Sequence, residues 1–176
     1  MRAKGNLMRL LIVSDIFDHP KNLGWLLKRT NADLLSLSSL CDSPFRSGSE
    51  LHSHLFEQGG VQQAISRLRC YSNEDSIGLG FSAGGTVLWR AAREGLLLKK
   101  LICVSSTRLR HERTSLSIPT STLWGERDPH RPDEEWCRSI PSHSITYESL
   151  GHDFYNEDDC ACSSTYQSDV IGALMN

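Results

Sequence analysis

The clearest chemical signal in the sequence is a serine placed between two glycines. Ser82 lies in a Gly-x-Ser-x-Gly pattern that Gly80 and Gly84 complete. The pattern follows an apolar run at residues 76–80 and opens a helical pattern at residues 84–94, so it occupies a strand-to-helix turn. Small neighbours let the chain bend sharply there and expose a hydroxyl at the end of the strand. We therefore predict that Ser82 is a nucleophile.

A serine hydroxyl needs a base to activate it, and the base needs a group that holds its tautomer. Asp128 follows the apolar run at residues 118–124, and His152 follows the last apolar run at residues 144–150. The carboxyl ends of parallel strands meet at one edge of a sheet, so both side chains should lie near Ser82. His152 would then be the general base, with Asp128 orienting its ring.

Other residues could take two of these roles. Glu126 is close enough to Asp128 in the chain to replace it as the orienting carboxylate. His130 and His143 are alternative bases. His143 precedes its strand and should lie at the opposite end of the sheet, whereas His130 lies in a proline-flanked turn and should face solvent.

The elements that must position these residues form an alternating pattern of strands and helices. We predict six strands, at residues 7–14, 33–40, 76–80, 101–105, 118–124 and 144–150. Asp18 is the expected N-cap of the first helix, ahead of Pro20. A second helical segment is interrupted at Gly59 and Gly60, Gly95 should end the helix that follows Ser82, and the last helix covers residues 164–174. The fold class is α/β: a three-layer sandwich with a mostly parallel six-stranded sheet and helices on both faces.

Composition and charge limit the function classes. The chain has 176 residues, a net charge of −2 and 39% hydrophobic residues, which indicates one domain over residues 1–176. Without a strongly basic surface, nucleic acid is an unexpected partner. No apolar run is long enough for a membrane span or a signal peptide, so we expect a cytoplasmic protein. Cys160 and Cys162 lack the second cysteine pair that a zinc site would need, and His52 and His54 should be solvated. We therefore predict no metal site, and we expect no organic cofactor.

The serine, acid and histidine motifs resemble those of the α/β-hydrolase superfamily. The matching segments are Gly80-Phe81-Ser82-Ala83-Gly84-Gly85, Gly125-Glu126-Arg127-Asp128 and Gly151-His152. They occur in the superfamily's order of serine, acid and histidine, and the resemblance extends from Leu7 to the last helix. It implies a minimal α/β-hydrolase fold and a Ser82–Asp128–His152 triad.

The loop after the first strand adds a more specific resemblance. Residues 14–17, Ser-Asp-Ile-Phe, are similar to the corresponding loop of dienelactone-hydrolase-like members. The resemblance implies that the backbone N–H groups of Ile16 and Ala83 form an oxyanion hole. Phe17, in the same loop, is a candidate substrate contact.

The chain departs from that branch at three places. Asp18 stands where the branch usually has glycine, and Ser82 stands where it often has cysteine. A serine nucleophile moves the expected chemistry towards ordinary esters. The two leading antiparallel strands of the family are expected to be missing, because the first predicted strand corresponds to the central strand.

The segment at residues 106–117, where the family commonly inserts a cap, is too short for a cap domain. It carries Arg108, Arg110, His111 and Arg113 on the expected active edge. Guanidinium groups pair well with carboxylate or phosphate, so Arg110 and Arg113 are candidates for binding an anionic part of the substrate. The alternative is a solvated basic loop.

These observations predict a serine hydrolase that cleaves small carboxylic esters or thioesters through an acyl-enzyme. Two alternatives stay open. A hydrolase-like module could use the same pocket for a ligand or partner without catalysis, and an acyltransferase could use the same triad with an acceptor other than water.

Overall fold

The computed structural model describes residues 9–21, 23–43, 46–156 and 161–175. The strands are β1 (Arg9–Val13), β2 (Asn31–Leu35), β3 (Ile77–Phe81), β4 (Lys100–Val104), β5 (Thr120–Gly125) and β6 (His143–Tyr147). The helices are α1 (Gly24–Leu27), α2 (Leu37–Leu40), α3 (Gly48–Glu57), α4 (Gly60–Leu68), α5 (Ala83–Arg93), α6 (Glu134–Ser139) and α7 (Ala161–Met175). Two 3₁₀ turns, Leu109–His111 and Phe154–Asn156, complete these elements.

The six strands form one sheet in the order β2-β1-β3-β4-β5-β6, and every neighbouring pair is parallel. The strand order reverses between β1 and β3, where the chain passes to opposite sides of β1. Loops that leave neighbouring strands at such a point diverge and open a crevice at the carboxyl edge of the sheet. The loops after β1 and β3 are the ones predicted to carry the oxyanion hole and the nucleophile.

Each face of the sheet buries its own apolar layer. Strand residues alternate between the faces, so Leu11 and Val13 of β1 point to one layer and Leu10 and Ile12 to the other. The first layer packs against helices α2 to α6, and the second packs against α1 and α7. The three-layer α/β sandwich and its parallel six-stranded sheet are therefore confirmed.

The second predicted strand has the wrong limits. The prediction of a strand over residues 33–40 fails beyond Leu35, where β2 ends and α2 begins after one residue. Ser36 caps this helix, because its hydroxyl accepts a hydrogen bond from the N–H of Ser39. The leucines at residues 34–40 fit the spacing of a strand and of a helix equally well. The capping by Ser36 therefore decides where β2 ends and α2 begins.

Asp18 is not a helix N-cap, and that prediction is wrong. Helix α1 begins only at Gly24, and Asp18 has a left-handed backbone with φ of 61°. Its carboxylate instead accepts a hydrogen bond from the Ser14 hydroxyl at 3.3 Å. Asp18 is therefore part of a tight turn directly after β1.

The other helix boundaries follow the sequence pattern closely. α3 and α4 are separated at Gly59, which has φ of 83°, and Gly95 follows α5 with φ of 90°. The sequence did not predict α6, because this six-residue helix buries only Trp136 and so has no apolar periodicity. Leu7 and Met8 of the first predicted strand lie outside the described residues.

Candidate active site

Ser82 occupies a strained turn between β3 and α5. Its backbone has φ of 48° and ψ of −121°, a conformation that side-chain-bearing residues rarely adopt. Its side chain is nearly buried, and its N–H donates to the Val104 carbonyl at 2.8 Å. Strain of this kind persists only where the surroundings hold it, and it is common at nucleophiles.

The glycines around Ser82 permit close backbone packing. A Cβ on Gly84 would lie 2.3 Å from the carbonyl oxygen of Ser14, and one on Gly80 would lie 2.4 Å from the Cα of Gly85. α5 therefore starts directly against β1 and β3. The Gly-x-Ser-x-Gly pattern is a packing requirement at this turn.

The structure brings Ser82, His152 and Asp128 together as expected. The His152 Nε2 atom lies 3.1 Å from the Ser82 hydroxyl oxygen, and the His152 Nδ1 atom lies 2.8 Å from an Asp128 carboxylate oxygen. The three side chains come from the loops after β3, β6 and β5. With Nδ1–H donating to Asp128, Nε2 is free to accept the hydroxyl proton of Ser82.

Two opposing influences act on His152. Burial is the largest and disfavours the imidazolium, but the hydrogen bond and charge of Asp128 together outweigh it and raise the pKa of His152. Asp128 is itself buried, and its second oxygen accepts the N–H of His130 at 2.8 Å. The pair can therefore stabilise a proton taken up from Ser82.

The alternative acid and bases are placed elsewhere. Glu126 is exposed and accepts the N–H of Ser149 at 2.8 Å, so its carboxylate caps a turn. His143 is the first residue of β6, at the opposite end of the sheet. The expectation that His130 faces solvent is wrong, because it is half-buried and its ring lies 5.5 Å from that of His152.

Asp15 organises the loop that was expected to supply one oxyanion donor. It is buried, and one carboxylate oxygen accepts the N–H groups of Phe17 and His19 at 2.7 and 2.8 Å. The N–H of Asp15 bonds the His19 carbonyl, and that of Asp18 bonds the Asp15 carbonyl. Of the described N–H groups at positions 15–19, only that of Ile16 lacks a protein acceptor.

The second expected donor is the first N–H of α5. Ala83 follows Ser82 directly, and the N–H groups in the first turn of a helix have no partner within the helix. Ile16 and Ala83 both line the same cavity as Ser82. The oxyanion hole that the resemblance implied therefore stays a prediction for these two N–H groups.

Tyr155 connects the loop after β1 with the loop that carries His152, and sequence reasoning missed it. Its hydroxyl donates to the second oxygen of Asp15 at 3.0 Å, and its ring lies 6.2 Å from that of His152. Burial, followed by the charge of Asp15, raises the pKa of Tyr155, so this hydroxyl stays a hydrogen-bond donor. An aromatic residue three positions after the histidine was the available signal.

A cavity of about 510 Å³ opens above Ser82. Phe17 lines it and is 55% exposed, and Arg110 lines it as expected. Arg113, the other arginine expected to bind substrate, does not line this cavity, because the 3₁₀ turn at residues 109–111 ends before it and leaves it exposed. Arg108, from the same loop, lines the cavity instead.

Two further features bear on ligands and membranes. Among the described residues, no group of three or more His, Cys, Asp or Glu side chains could hold a metal ion. Cys160 and the side chain of Cys162 lie outside the described residues, and His54 contacts the Cys41 carbonyl at 3.2 Å. None of the described helices is long and apolar enough to cross a membrane.

Comparison with solved structures shows which fold this is. A predicted CIB-like hydrolase from Thermoplasma acidophilum is 16% identical, with a TM-score of 0.68 over 97% of this chain and 87% of that one. A proposed dienelactone hydrolase from Klebsiella pneumoniae is 17% identical, with a TM-score of 0.66 over 98% and 88%. A hyperthermophilic esterase from Pyrobaculum calidifontis is 14% identical, with a TM-score of 0.68 over 98% and 78%.

No protein-family model matches the sequence, and no curated protein matches it either. The likeness to the solved structures nevertheless spans nearly the whole chain, and the sheet and its helices agree with it. The chain has the α/β-hydrolase fold, as the resemblance of its three motifs implied.

Proposed function

We propose that this chain is a serine hydrolase that cleaves carboxylic esters or thioesters, with Ser82 as nucleophile, His152 as general base and Asp128 as the orienting carboxylate. The observation that carries the proposal is the continuous hydrogen-bonded series from the Ser82 hydroxyl to His152 at 3.1 Å and on to Asp128 at 2.8 Å. The esterase among the structures that share the fold supports an ester substrate.

The first half of the reaction forms an acyl-enzyme. The Ser82 oxygen attacks the carbonyl carbon as its proton moves to Nε2 of His152. The carbonyl oxygen becomes an oxyanion facing the N–H groups of Ile16 and Ala83, and a donor of this kind contributes about 3 kcal/mol to the transition state. The carbon–oxygen or carbon–sulfur bond then breaks, and the leaving alcohol or thiol takes the proton from His152.

The second half releases the acid. Water attacks the acyl carbon while His152 takes one of its protons, and collapse of the second tetrahedral intermediate returns that proton to the Ser82 oxygen. Asp128 stays ionised throughout and holds the imidazolium that forms twice. No step requires a metal or an organic cofactor.

A fluorophosphonate probe tests the activated serine directly. We expect rapid labelling of the wild-type chain and none of S82A, because the probe needs a serine whose proton His152 accepts. S66A is a matched control: Ser66 is exposed on α4, and its hydroxyl donates to the Gln62 carbonyl of the same helix at 2.9 Å. A non-catalytic binding module would leave all three chains unlabelled, and full esterase activity in S82A would overturn the mechanism.

Hydrolysis of 4-nitrophenyl esters and acyl thioesters of graded length then defines the substrate. The cavity of about 510 Å³ suits small acyl and leaving groups, so activity should fall once either group outgrows it. An acyltransferase would be separated from a hydrolase by adding alcohols or amines. Transfer to such an acceptor at the expense of hydrolysis would contradict water as the acceptor.

A further inference from the structure

One wall of the Ser82 cavity carries positive charge that the described residues do not neutralise. Arg108 and Arg110 line the cavity, and both come from the loop between β4 and β5. Neither has a carboxylate within ion-pair distance in the described part of the chain. The two carboxylates that line the cavity, Asp15 and Asp153, belong to the loops after β1 and β6.

Arg110 is held in place by oxygen atoms of the backbone. Its Nη1 atom donates to the Thr107 carbonyl and lies 3.4 Å from both the carbonyl oxygen and Nδ1 of His130. Within the described residues, its Nη2 and Nε atoms make no further hydrogen bond. A fixed guanidinium with open donors suits a carboxylate or phosphate, because little side-chain freedom is lost on binding.

Arg108 is held by an aromatic ring. Its Cζ atom lies 4.3 Å from the centre of the Phe56 ring on α3, a cation–π arrangement. The ring positions the guanidinium but leaves its charge uncompensated. Two arginines of one short turn are thus both ordered without a carboxylate partner.

The same loop shows how this chain neutralises arginines that have only a structural role. Glu112 is buried, and it pairs with both Arg90 and Arg93 of α5. Those two arginines do not line the cavity. Arg108 and Arg110, which do line it, have no such carboxylate partner among the described residues.

His111, in the same loop, lies close to these arginines. Burial lowers the pKa of His111, and every charged neighbour that contributes further is an arginine, including Arg108 and Arg110. At His152 the contributing charges are carboxylates instead, including Asp153. His130 lies between the two regions, and the charges of both Asp128 and Arg110 act on it.

We infer that Arg108 and Arg110 form a subsite for a carboxylate or phosphate group of the substrate, so that the ester cleaved at Ser82 carries an anionic group close to the scissile bond. The inference rests on the proposed function and names the substrate class of that site.

Paired substrates of matched size test the charge preference. 4-Nitrophenyl hemiglutarate against 4-nitrophenyl pentanoate places the charge on the acyl group, and 4-acetoxybenzoate against its methyl ester places it on the leaving group. We expect kcat/KM for the charged member to exceed that for the neutral member by about tenfold or more in one of the two pairs, because a charge-assisted hydrogen bond contributes that much. No preference in either pair would overturn the subsite.

Variants of the loop locate the preference. R110Q should reduce the ratio of charged to neutral kcat/KM at least fivefold, and R108Q should reduce it as well. R113Q is the matched control, because Arg113 lies in the same loop but outside the cavity, and it should keep the wild-type ratio. An equal loss in R113Q and R110Q would contradict a specific subsite.

Salt dependence supplies a measurement that needs no variant. Raising NaCl from about 0.02 to 0.5 M should lower kcat/KM for the charged ester several-fold more than for its neutral partner, because salt screens the arginines. Equal responses of both members would contradict the subsite.

Failure of the subsite and failure of the proposed function give different results. Hydrolysis of neutral esters without a charge preference leaves the Ser82 reaction standing and removes the subsite. If fluorophosphonate labelling and hydrolysis both fail, titration calorimetry with glutarate and with inorganic phosphate tests the subsite alone. Binding that R110Q weakens at least tenfold would support it, with the better ligand identifying the group, and absence of binding to both would overturn it.

Discussion

Gly84 provides a direct test of how the backbone around Ser82 is packed. In G84A the new methyl group would lie 2.3 Å from the Ser14 carbonyl oxygen and 2.5 Å from that of Val13. Ordinary contact begins near 3.4 Å, so the start of α5 must move away from β1 by about 1 Å. Both obstacles are backbone atoms next to a strand paired on both sides, so a side-chain rotation cannot relieve the contact.

The movement should affect both stability and catalysis. Overpacking of this kind costs 1–3 kcal/mol, and we expect about 3 kcal/mol here because the obstacle is rigid. The same shift carries Ala83 and Ser82 away from the loop of Ile16, and a misplacement of about 1 Å can reduce rate about 100-fold. Urea unfolding followed by circular dichroism, and kcat/KM for 4-nitrophenyl acetate, measure the two effects.

G172A is the matched control for G84A. Gly172 lies within α7, and no atom lies within 4 Å of the position that a Cβ would take. The variant should keep its activity and gain up to about 1 kcal/mol, because alanine has the higher helix propensity. A G84A chain with the wild-type unfolding midpoint and kcat/KM, or a G172A chain that loses as much as G84A, would refute the packing argument.

Three other predictions concern charged groups. D128N should lower kcat about 10⁴-fold with the fold intact, because an amide facing Nδ1 favours the wrong tautomer of His152; saturation kinetics measure this, and a loss under tenfold would contradict the orienting role. Wild-type kcat/KM should rise with pH along a limb centred above 6.5, since the base must be neutral and its pKa is raised despite burial. A kinetic limb centred below pH 6.5 would be inconsistent with the structure. The raised pKa also links His152 to stability: its contribution is complete below about pH 6.5 and is lost as pH rises through its folded pKa. E112Q should lower the free energy of unfolding by about 2 kcal/mol, because the buried carboxylate pairs with Arg90 and Arg93; an unchanged urea midpoint would rule this out.

The sequence alone determined the α/β pattern and the candidate triad. Continuous apolar runs indicate buried parallel strands, and the polar residues that follow such runs must meet at one edge of the sheet. That rule predicted that Ser82, Asp128 and His152 lie near one another, and the loops after β3, β5 and β6 do bring the three side chains together. It also excluded His143, which begins a strand.

The sequence determined less where short-range patterns are ambiguous. Residues 33–40 suit a strand or a helix, and the hydrogen bond from Ser39 to the Ser36 hydroxyl decides where β2 ends. Asp18 before Pro20 has the pattern of a helix start, but its position in the turn after β1 depends on Asp15. That carboxylate is buried in the folded chain and accepts two N–H groups of the loop.

Only the tertiary structure decided which side chains surround Ser82. Tyr155 reaches Asp15 across 140 positions of sequence, a contact that no local pattern encodes. Arg108 and Arg113 lie in the same short segment, and nothing in the sequence separates their roles. The 3₁₀ turn between them places Arg108 in the cavity wall and leaves Arg113 exposed. Strand periodicity is a local property and can be read from the chain, whereas a pocket wall depends on how separate loops pack against one another.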